Sequence, residues 1–318
     1  MKICHILLLL SAIIPGITQA QESAPKPSTA AADSTAGPTV LPPLFEYPVA
    51  PEGLDWEASS NWLVEHFWDN FNPKSGAVPQ VQIDHAFRTY IVPVNFASKD
   101  AVLKSVNTLL DKVKKNPTLL LQIAVAAEHT IYDPQTADMF IDPVYVPIIK
   151  ALVSNKKVPS LRKARYEAQL ASLENCMTGS TMPTFQYRDR QGTLTSYKNS
   201  GVPTIIEFGD YDCSSCRISR LKLEADTKLS KLVEEGKARI LFISPDITAD
   251  DAPAWKEGTE RFPATWGVGY AEGLEDSLDL RMIPCIYLIS PEGKIVTKAA
   301  TEDQAINFAT TLATTASE

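Results

Sequence analysis

The hydrophobic pattern of this chain of 318 residues changes its period near Gly179, and this change limits the possible folds more than any other feature. Before Gly179, apolar residues recur three and four positions apart, which is the spacing of helices that bury one face. After it, short apolar or alternating runs appear, as expected for strands, and helical segments separate them. The sequence therefore predicts an all-α domain over 44–173, followed by an α/β domain over 174–318.

Five or six helices are expected in the first domain. Ser98 is a typical N-cap, and Pro117 suits the first turn of the next helix. Two more helices are predicted near 142–154 and 159–174. An aromatic cluster near the start of this domain is expected to lie in its core: Trp56, Trp62, Phe67, Trp68 and Phe71.

The second domain is expected to hold a mixed sheet with helices packed against it. Its apolar run at 202–208 suits a strand in the interior of the sheet. The predicted order is a hairpin around Gly192, the strand at 202–208, a helix from Cys213 to a C-cap at Gly236, a strand at 237–244, a less regular stretch at 246–280, a hairpin around the turn PEG, and a helix capped by Thr301.

The N-terminus carries the pattern of a secretory signal peptide over 1–20. Lys2 precedes an apolar run too short to span a bilayer well, and small residues favour cleavage after Ala20. A retained N-terminal anchor is the alternative. Residues 21–43 are rich in Ala, Ser, Thr and Pro and are expected to form a disordered linker. The mature protein is therefore predicted to be periplasmic, without stable membrane insertion.

Charge and cysteine content exclude several classes of protein. The formal net charge is −8 and no stretch is strongly basic, so nucleic acid is a poor candidate as a partner. Four cysteines follow the predicted signal peptide, which is too few for a scaffold built from disulfides.

Two of these cysteines, in the stretch CSSCR, carry the main functional signal. Cys213 and Cys216 stand where an apolar strand pattern gives way to a helical pattern. Backbone N–H groups at a helix N-terminus favour a thiolate over a thiol, and the thiolate is the form that attacks disulfides. Cys213 is therefore the predicted nucleophile, and Cys216 is the predicted resolving thiol, with a redox-active Cys213–Cys216 disulfide as the oxidised form.

Cys213 and Cys216 could instead form a structural disulfide, part of a zinc site or the site of a peroxidase. A structural disulfide would close only a very short loop, which constrains the unfolded chain little. A zinc site would need further ligands, but Cys176 and Cys285 lack a second C-x-x-C spacing. Both are expected to be small buried residues, and no metal site is predicted. A peroxidase of the peroxiredoxin type is disfavoured because Asp210 stands where that motif has Thr.

The order of elements and several motifs in 180–318 resemble the thioredoxin fold. They are CSSCR at a helix start, MIPCIYLI before the last hairpin, the turn PEGK, and Glu207 six residues before the first cysteine. The leading hairpin is similar to the extension in periplasmic thioredoxin-like oxidoreductases of the type used in cytochrome c maturation. The region around SNWLVEHFWDNF resembles an uncharacterised helical domain of secreted bacterial proteins.

This resemblance implies roles for individual residues. Pro284 would be a cis-proline facing the cysteines, and the backbone at Ile283 would bind the substrate chain as an added strand. Ser214 and Ser215 would belong to the same substrate-binding surface. Glu207 would be a buried acid that takes the proton of the resolving thiol, although it could instead be a solvated acid at a strand end.

The sequence departs from the thioredoxin pattern next to the nucleophile. Asp212 stands where thioredoxins have Trp, and with Asp210 it would oppose formation of the thiolate. The direction of exchange is therefore left open. The predicted function is thiol–disulfide exchange with protein substrates and a separate redox partner protein, without a cofactor. The alternative is a binding or adaptor protein that uses the helical domain and keeps the second domain as a scaffold.

Overall fold

The structure is a computed structural model, and it describes residues 42–73, 78–137 and 139–315. The predicted signal peptide and nearly all of the predicted linker lie outside these residues. Up to residue 175, the described chain is helical and has no strand. Its six helices are α1 (Trp56–His66), α2 (Gln80–Val94), α3 (Lys99–Val113), α4 (Pro117–Ile131), α5 (Asp142–Ser154) and α6 (Ser160–Asn175).

Local capping explains where these helices begin. The Ser98 side chain accepts a hydrogen bond from the Ala101 N–H, which confirms the predicted cap of α3. Pro117 is the first residue of α4, as predicted, and Asn116 caps that helix. Helix α2 follows Pro79 without a side-chain cap, so the sequence carries no comparable signal for its start.

The aromatic cluster is only partly in the core of the helical region. Phe67, Trp68 and Phe71 are buried, as predicted. Trp62 is half-buried, and Trp56 is 68% exposed, so the prediction for Trp56 was wrong. Trp56 opens α1 on its outer face, where its ring meets Phe96 edge-on at 5.0 Å between centroids.

Residues 186–297 contribute a seven-stranded sheet with the order β2-β1-β5-β4-β3-β6-β7. Strands β3, β4 and β5 are parallel to one another, and the other neighbouring pairs are antiparallel. The strands are β1 (Gln186–Asp189), β2 (Leu194–Ser196), β3 (Thr204–Phe208), β4 (Arg239–Ser244), β5 (Gly267–Tyr270), β6 (Cys285–Ile289) and β7 (Ile295–Thr297). The predicted fold class, an all-α region followed by an α/β region with a mixed sheet, is confirmed.

One of the predicted helices beside the sheet is divided in the structure. The single helix expected from Cys213 to Gly236 is two helices that meet at Asp226. Asp226 ends the first helix and caps the second by accepting a hydrogen bond from the Leu229 N–H, so the chain turns there. The α-helices described in this region are α7 (Ser214–Ala225), α8 (Thr227–Glu234), α9 (Ala252–Thr259) and α10 (Glu302–Thr315).

The stretch predicted to be irregular, 246–280, contains α9 and also β5, which joins β4 to β1 within the sheet. Strand β5 consists of the four residues GVGY, so it lacks a clear strand pattern. A Cβ atom at Gly269 would lie 2.4 Å from the ring of Tyr187 in β1, which explains why this strand contains glycine.

The two faces of the sheet bury different sets of side chains. Ile206 and Phe208 of β3 face the core beside the first hairpin, whereas Ile205 faces the core beneath α7, α8 and α10. Because side chains alternate along a strand, Glu207 lies on the same face as Ile205. None of the helices in the described ranges is both long and apolar enough to cross a membrane.

Candidate active site

The two cysteines of CSSCR lie where β3 gives way to α7. Cys213 is the N-cap of α7, and its Sγ accepts a hydrogen bond from the Cys216 N–H at 3.2 Å. Cys213 is partly exposed, whereas Cys216, one turn inside the helix, is only 1% exposed. The two sulfurs therefore differ in accessibility to solvent, with Cys213 the more accessible.

The surroundings of Cys213 favour its thiolate. Partial burial acts to raise the pKa of this thiol, but hydrogen bonds from the side chains and backbone N–H groups of Cys216 and Ser215 outweigh it and lower the pKa below its ordinary value. The Ser215 hydroxyl lies 3.0 Å from Cys213 Sγ and becomes the donor once that sulfur has lost its proton.

The surroundings of Cys216 have the opposite effect. Burial and the hydrogen bond that it makes with the Cys213 side chain raise the pKa of the Cys216 thiol to about 12. Cys216 therefore needs a base before it can act as a nucleophile at neutral pH.

The acids beside the nucleophile are on the surface. Asp210 and Asp212 are both exposed, and the Asp212 N–H donates to Asp210 Oδ1 at 3.2 Å within the turn. Water screens exposed carboxylates, so the hydrogen bonds at the helix start prevail over these charges.

Two glycines fix the approach of the chain to α7. A Cβ atom at Gly209 would lie 3.1 Å from the ring of Phe242 and 3.3 Å from Cys216 Cβ, so glycine lets β3 pass close to the resolving cysteine. The ring of Tyr211 rests on α9, where a Cβ atom at Gly258 would lie only 2.2 Å from it. These contacts hold the segment between β3 and Cys213.

The Ile283–Pro284 peptide bond is cis, as predicted. Strand β6 begins at the next residue, Cys285, which lies opposite Phe208 at the end of β3. Ile283 and Pro284 therefore lie at the same end of the sheet as the turn that leads to Cys213. Ile283 is half-buried and the adjacent Met282 is 41% exposed, so this segment is accessible at the surface.

Glu207 is fully buried, with 0% of its surface exposed, so it is not a solvated acid at a strand end. Among the described residues, neither of its carboxyl oxygens has a partner at hydrogen-bonding distance. Burial raises the pKa of Glu207 to about 8, with the nearby Ser219 hydroxyl opposing and the Glu302 carboxylate adding to the effect. This value suits a base that works near neutral pH.

The described cysteines are all free thiols, so the disulfide between Cys213 and Cys216 stays a prediction. Cys176 and Cys285 are buried, as predicted. The Cys176 Sγ accepts a hydrogen bond from the Asp279 N–H at 3.3 Å, so it belongs to the packing behind β6. In the ranges that the structure describes, no three His, Cys, Asp or Glu side chains are grouped so that they could hold a metal ion.

Sequence reasoning missed an ion-pair network beside the cis-proline segment. The Arg281 side chain is 9% exposed, and it pairs with Asp279 at 2.7 Å and with Asp142, at the start of α5, at 2.8 Å. Lys298 also pairs with Asp142, at 2.7 Å, and with Asp279. The Arg281 guanidinium lies 4.5 Å from the ring centroid of Tyr132. The helical region thus contacts the segment that carries Ile283 and Pro284 through charged groups 139 positions apart.

The comparison with solved structures shows the fold of this protein. A crystal structure of a thioredoxin-like protein from Bacteroides caccae matches it with a TM-score of 0.66 and 23% sequence identity, covering 83% of this chain and 97% of the other. The likeness extends over both regions, so the fold is thioredoxin-like with a preceding helical domain. The thioredoxin domain of a thiol-disulfide oxidoreductase from Bacteroides vulgatus is 26% identical, with a TM-score of 0.35, over 41% of this chain and 94% of the other.

Residues 17–175 match the family described as Domain of unknown function (DUF5106), which accounts for half of the chain. The protein belongs to this family. None of the curated proteins matches the sequence.

Proposed function

We propose that this protein is an extracytoplasmic thiol–disulfide oxidoreductase that exchanges disulfides with protein substrates. The observation that carries the proposal is the unequal environment of the two sulfurs. Cys213 is partly exposed and has a lowered pKa, whereas Cys216 is buried and has a raised pKa. A structural disulfide or a metal site has no need of this difference, but sequential attack by two thiols does.

In the reductive direction, the Cys213 thiolate attacks one sulfur of a substrate disulfide. A bond forms between Cys213 and that sulfur, and the other substrate sulfur leaves as a thiolate that takes a proton from water. The product is a mixed disulfide. The hydrogen bonds from Ser215 and from the Cys216 N–H keep Cys213 ionised before the attack.

Resolution follows when Cys216 gives its proton to Glu207 and attacks the sulfur of Cys213. The bond to the substrate breaks, and the second substrate sulfur leaves as a thiolate. The substrate has then gained two electrons, and the protein holds a Cys213–Cys216 disulfide. A separate dithiol protein is needed to return these electrons, and the same steps in reverse oxidise a substrate.

The substrate chain is proposed to dock across the surface formed by Ile283, Pro284, Ser214 and Ser215. Ile283 precedes β6 at the end of the sheet, and both serines are exposed beside Cys213. An extended peptide can pair with an exposed backbone there as an added strand. The predicted signal peptide supports action outside the cytoplasm. We also propose that 44–173 and 174–318 are separate domains and that the helical one governs the choice of substrate.

The test uses the purified protein and a fluorescent peptide that contains one disulfide. Cys213→Ser should abolish exchange, whereas Cys216→Ser should still attack and then stall as an adduct that dithiothreitol releases. Non-reducing gels and mass spectrometry separate these outcomes. If neither variant forms an adduct and the parent reduces no peptide, the proposal is wrong, and the adaptor function becomes the better explanation.

A further inference from the structure

A cavity of about 230 Å³ lies where the helical region meets the cis-proline segment. Arg281, Met282 and Cys285 contribute to its wall, so lining residues flank Ile283 and Pro284 on both sides. The cavity is therefore continuous with the surface on which the substrate chain is proposed to dock. Exchange at the two sulfurs does not itself need such a cavity.

The helical region supplies part of the cavity wall. Phe140 and Pro143 line it, together with Asp142 at the start of α5. The Arg281 guanidinium lies 4.8 Å from the centroid of the Phe140 ring, so this ring meets the residues that precede Pro284 directly. A side chain that enters the cavity therefore contacts residues of both regions of the chain.

The charged residues of the cavity wall neutralise one another. Two carboxylates and two cationic side chains form the ion pairs of this wall: Asp142, Asp279, Arg281 and Lys298. These side chains are only 5–27% exposed, and their two positive and two negative charges cancel. A charged side chain that entered the cavity would compete with these pairs and would lose its hydration. The paired charges therefore disfavour a charged occupant.

The more exposed part of the wall is apolar. Met282 is 41% exposed, Pro143 and Ala299 are exposed, and Phe140 is half-buried. An apolar side chain that covers these residues removes apolar surface from water, which is favourable. A cavity of about 150 Å³ is large enough to bind benzene. The cavity beside Met282 therefore has room for one leucine, methionine or phenylalanine side chain.

The backbone beside the cavity is strained at Ala299. Its φ is 52°, in the left-handed region that residues other than glycine enter only at a cost in free energy. Strained residues persist where the surrounding contacts fix them, and they are common where ligands bind. Lys298, the preceding residue, forms ion pairs with both Asp142 and Asp279. These contacts hold this part of the cavity wall in place.

We infer that this cavity is a subsite that binds one apolar side chain of the substrate, close in sequence to the cysteine that Cys213 attacks. The inference rests on the proposed function and gives the helical domain a defined part in it, because Phe140 and Pro143 help to select that substrate residue. An extended peptide advances about 3.3 Å per residue. A peptide that pairs with the backbone at Ile283 thus carries a neighbouring side chain to Met282 and the cavity.

The test uses the full chain and a set of fluorescent disulfide peptides in which glycine surrounds the reactive cysteine. A single leucine is placed in turn at each of the three positions before and after that cysteine, and kcat/KM is compared with that of the all-glycine peptide. Leucine at one position should raise kcat/KM at least about tenfold, which is the discrimination that a matched apolar pocket provides. Glutamate or lysine at the same position should not raise kcat/KM.

Phe140→Ala and Met282→Ala each remove one side chain from the cavity wall, one in each region of the chain. Each should reduce the preference for leucine to within about threefold of glycine, with the all-glycine peptide as the internal reference. Met282 is on the surface, so its replacement keeps the test decisive if Phe140→Ala fails to fold. Tyr132→Ala is the matched control, because Tyr132 contacts the Arg281 guanidinium at 4.5 Å but lies outside the cavity wall that the described residues form. This variant should keep the preference of the parent.

Each outcome decides the inference. Loss of the leucine preference in Phe140→Ala and Met282→Ala, with Tyr132→Ala like the parent, supports the subsite. A parent that reduces all the peptides at similar rates, or that prefers a charged residue, overturns the subsite and leaves the proposed function intact. Equal loss in Tyr132→Ala assigns the effect to the placement of Arg281 and also overturns the subsite. A preference that fades as the protein concentration rises places a second copy of this chain in the cavity, which overturns it as well. A parent that forms no mixed disulfide with any peptide refutes the proposed function itself, and the subsite with it.

Discussion

Replacing Glu207 with Gln should stabilise the protein at high pH, and the size of the effect follows from the burial of this side chain. The pKa of Glu207 is raised from 4.5 to about 8 in the folded protein. Between these values the folded state binds more protons than the unfolded state, so stability falls as the pH rises. An amide side chain does not titrate in this range, so the Glu207→Gln variant should lack this loss.

The magnitude can be worked from the two pKa values. Glu207 loses its proton more readily in the unfolded state than in the folded state. This difference lowers the free energy of unfolding by about 1 kcal/mol at pH 5, about 3 kcal/mol at pH 7 and about 5 kcal/mol at pH 9. Burying the amide of the variant has its own cost, but that cost does not depend on pH. The difference in stability between variant and parent should therefore shift by about 4 kcal/mol in favour of the variant between pH 5 and pH 9.

The assay is guanidinium unfolding of both proteins at pH 5, 7 and 9, with a reductant that keeps the cysteines as thiols. Glu257→Gln serves as a control, because Glu257 is an exposed residue of the same type on α9. The free energy of unfolding of this control variant should stay within about 0.5 kcal/mol of that of the parent at each pH. The result that refutes the reasoning is a Glu207→Gln variant whose stability relative to the parent changes with pH as little as that of the control. Glu207 would then not have a raised pKa, and its role as a base would be refuted.

Three further outcomes are expected. Ser215→Ala should slow alkylation of Cys213 by iodoacetamide at pH 7 about two- to tenfold, because it removes a hydrogen bond from the thiolate; an unchanged rate would contradict this. Asp142→Asn should lower the free energy of unfolding by about 1–3 kcal/mol, because it removes a charged partner of the largely buried Arg281 side chain. Asp111→Asn, in an exposed pair, should cost less than about 0.5 kcal/mol, and equal losses would refute the distinction. A polypeptide of residues 44–173 should show a cooperative thermal transition by circular dichroism, and a featureless melt would argue against a separate core.

The redox pair could be predicted from the sequence because its geometry is local. The helix start at Cys213 depends on the residues next to it, and a C-x-x-C spacing places the second sulfur one turn further inside. The same holds for the caps at Ser98 and Thr301, where a side chain bonds to a backbone N–H three residues ahead. Burial of Glu207 was expected only from the resemblance to thioredoxins, and the sequence left a solvated acid at the strand end as the alternative.

The other features of the fold and of the site depend on contacts between residues far apart in the chain. The spacing of apolar residues in the sequence does not predict such contacts. Strand β5 has a weak pattern of its own and becomes a strand because β4 and β1 pair with it on both sides. The ion pair between Lys222 and Glu302 exists only because α7 and α10 pack on the same face of the sheet. The pairing of Asp142 with Arg281 likewise needs the helical region to lie against the cis-proline segment. The sequence by itself thus determined most of the helices and strands and the position of the reactive sulfurs. Tertiary packing alone decided which charged and polar groups surround them, because the free energy of such groups depends on neighbours that folding brings together.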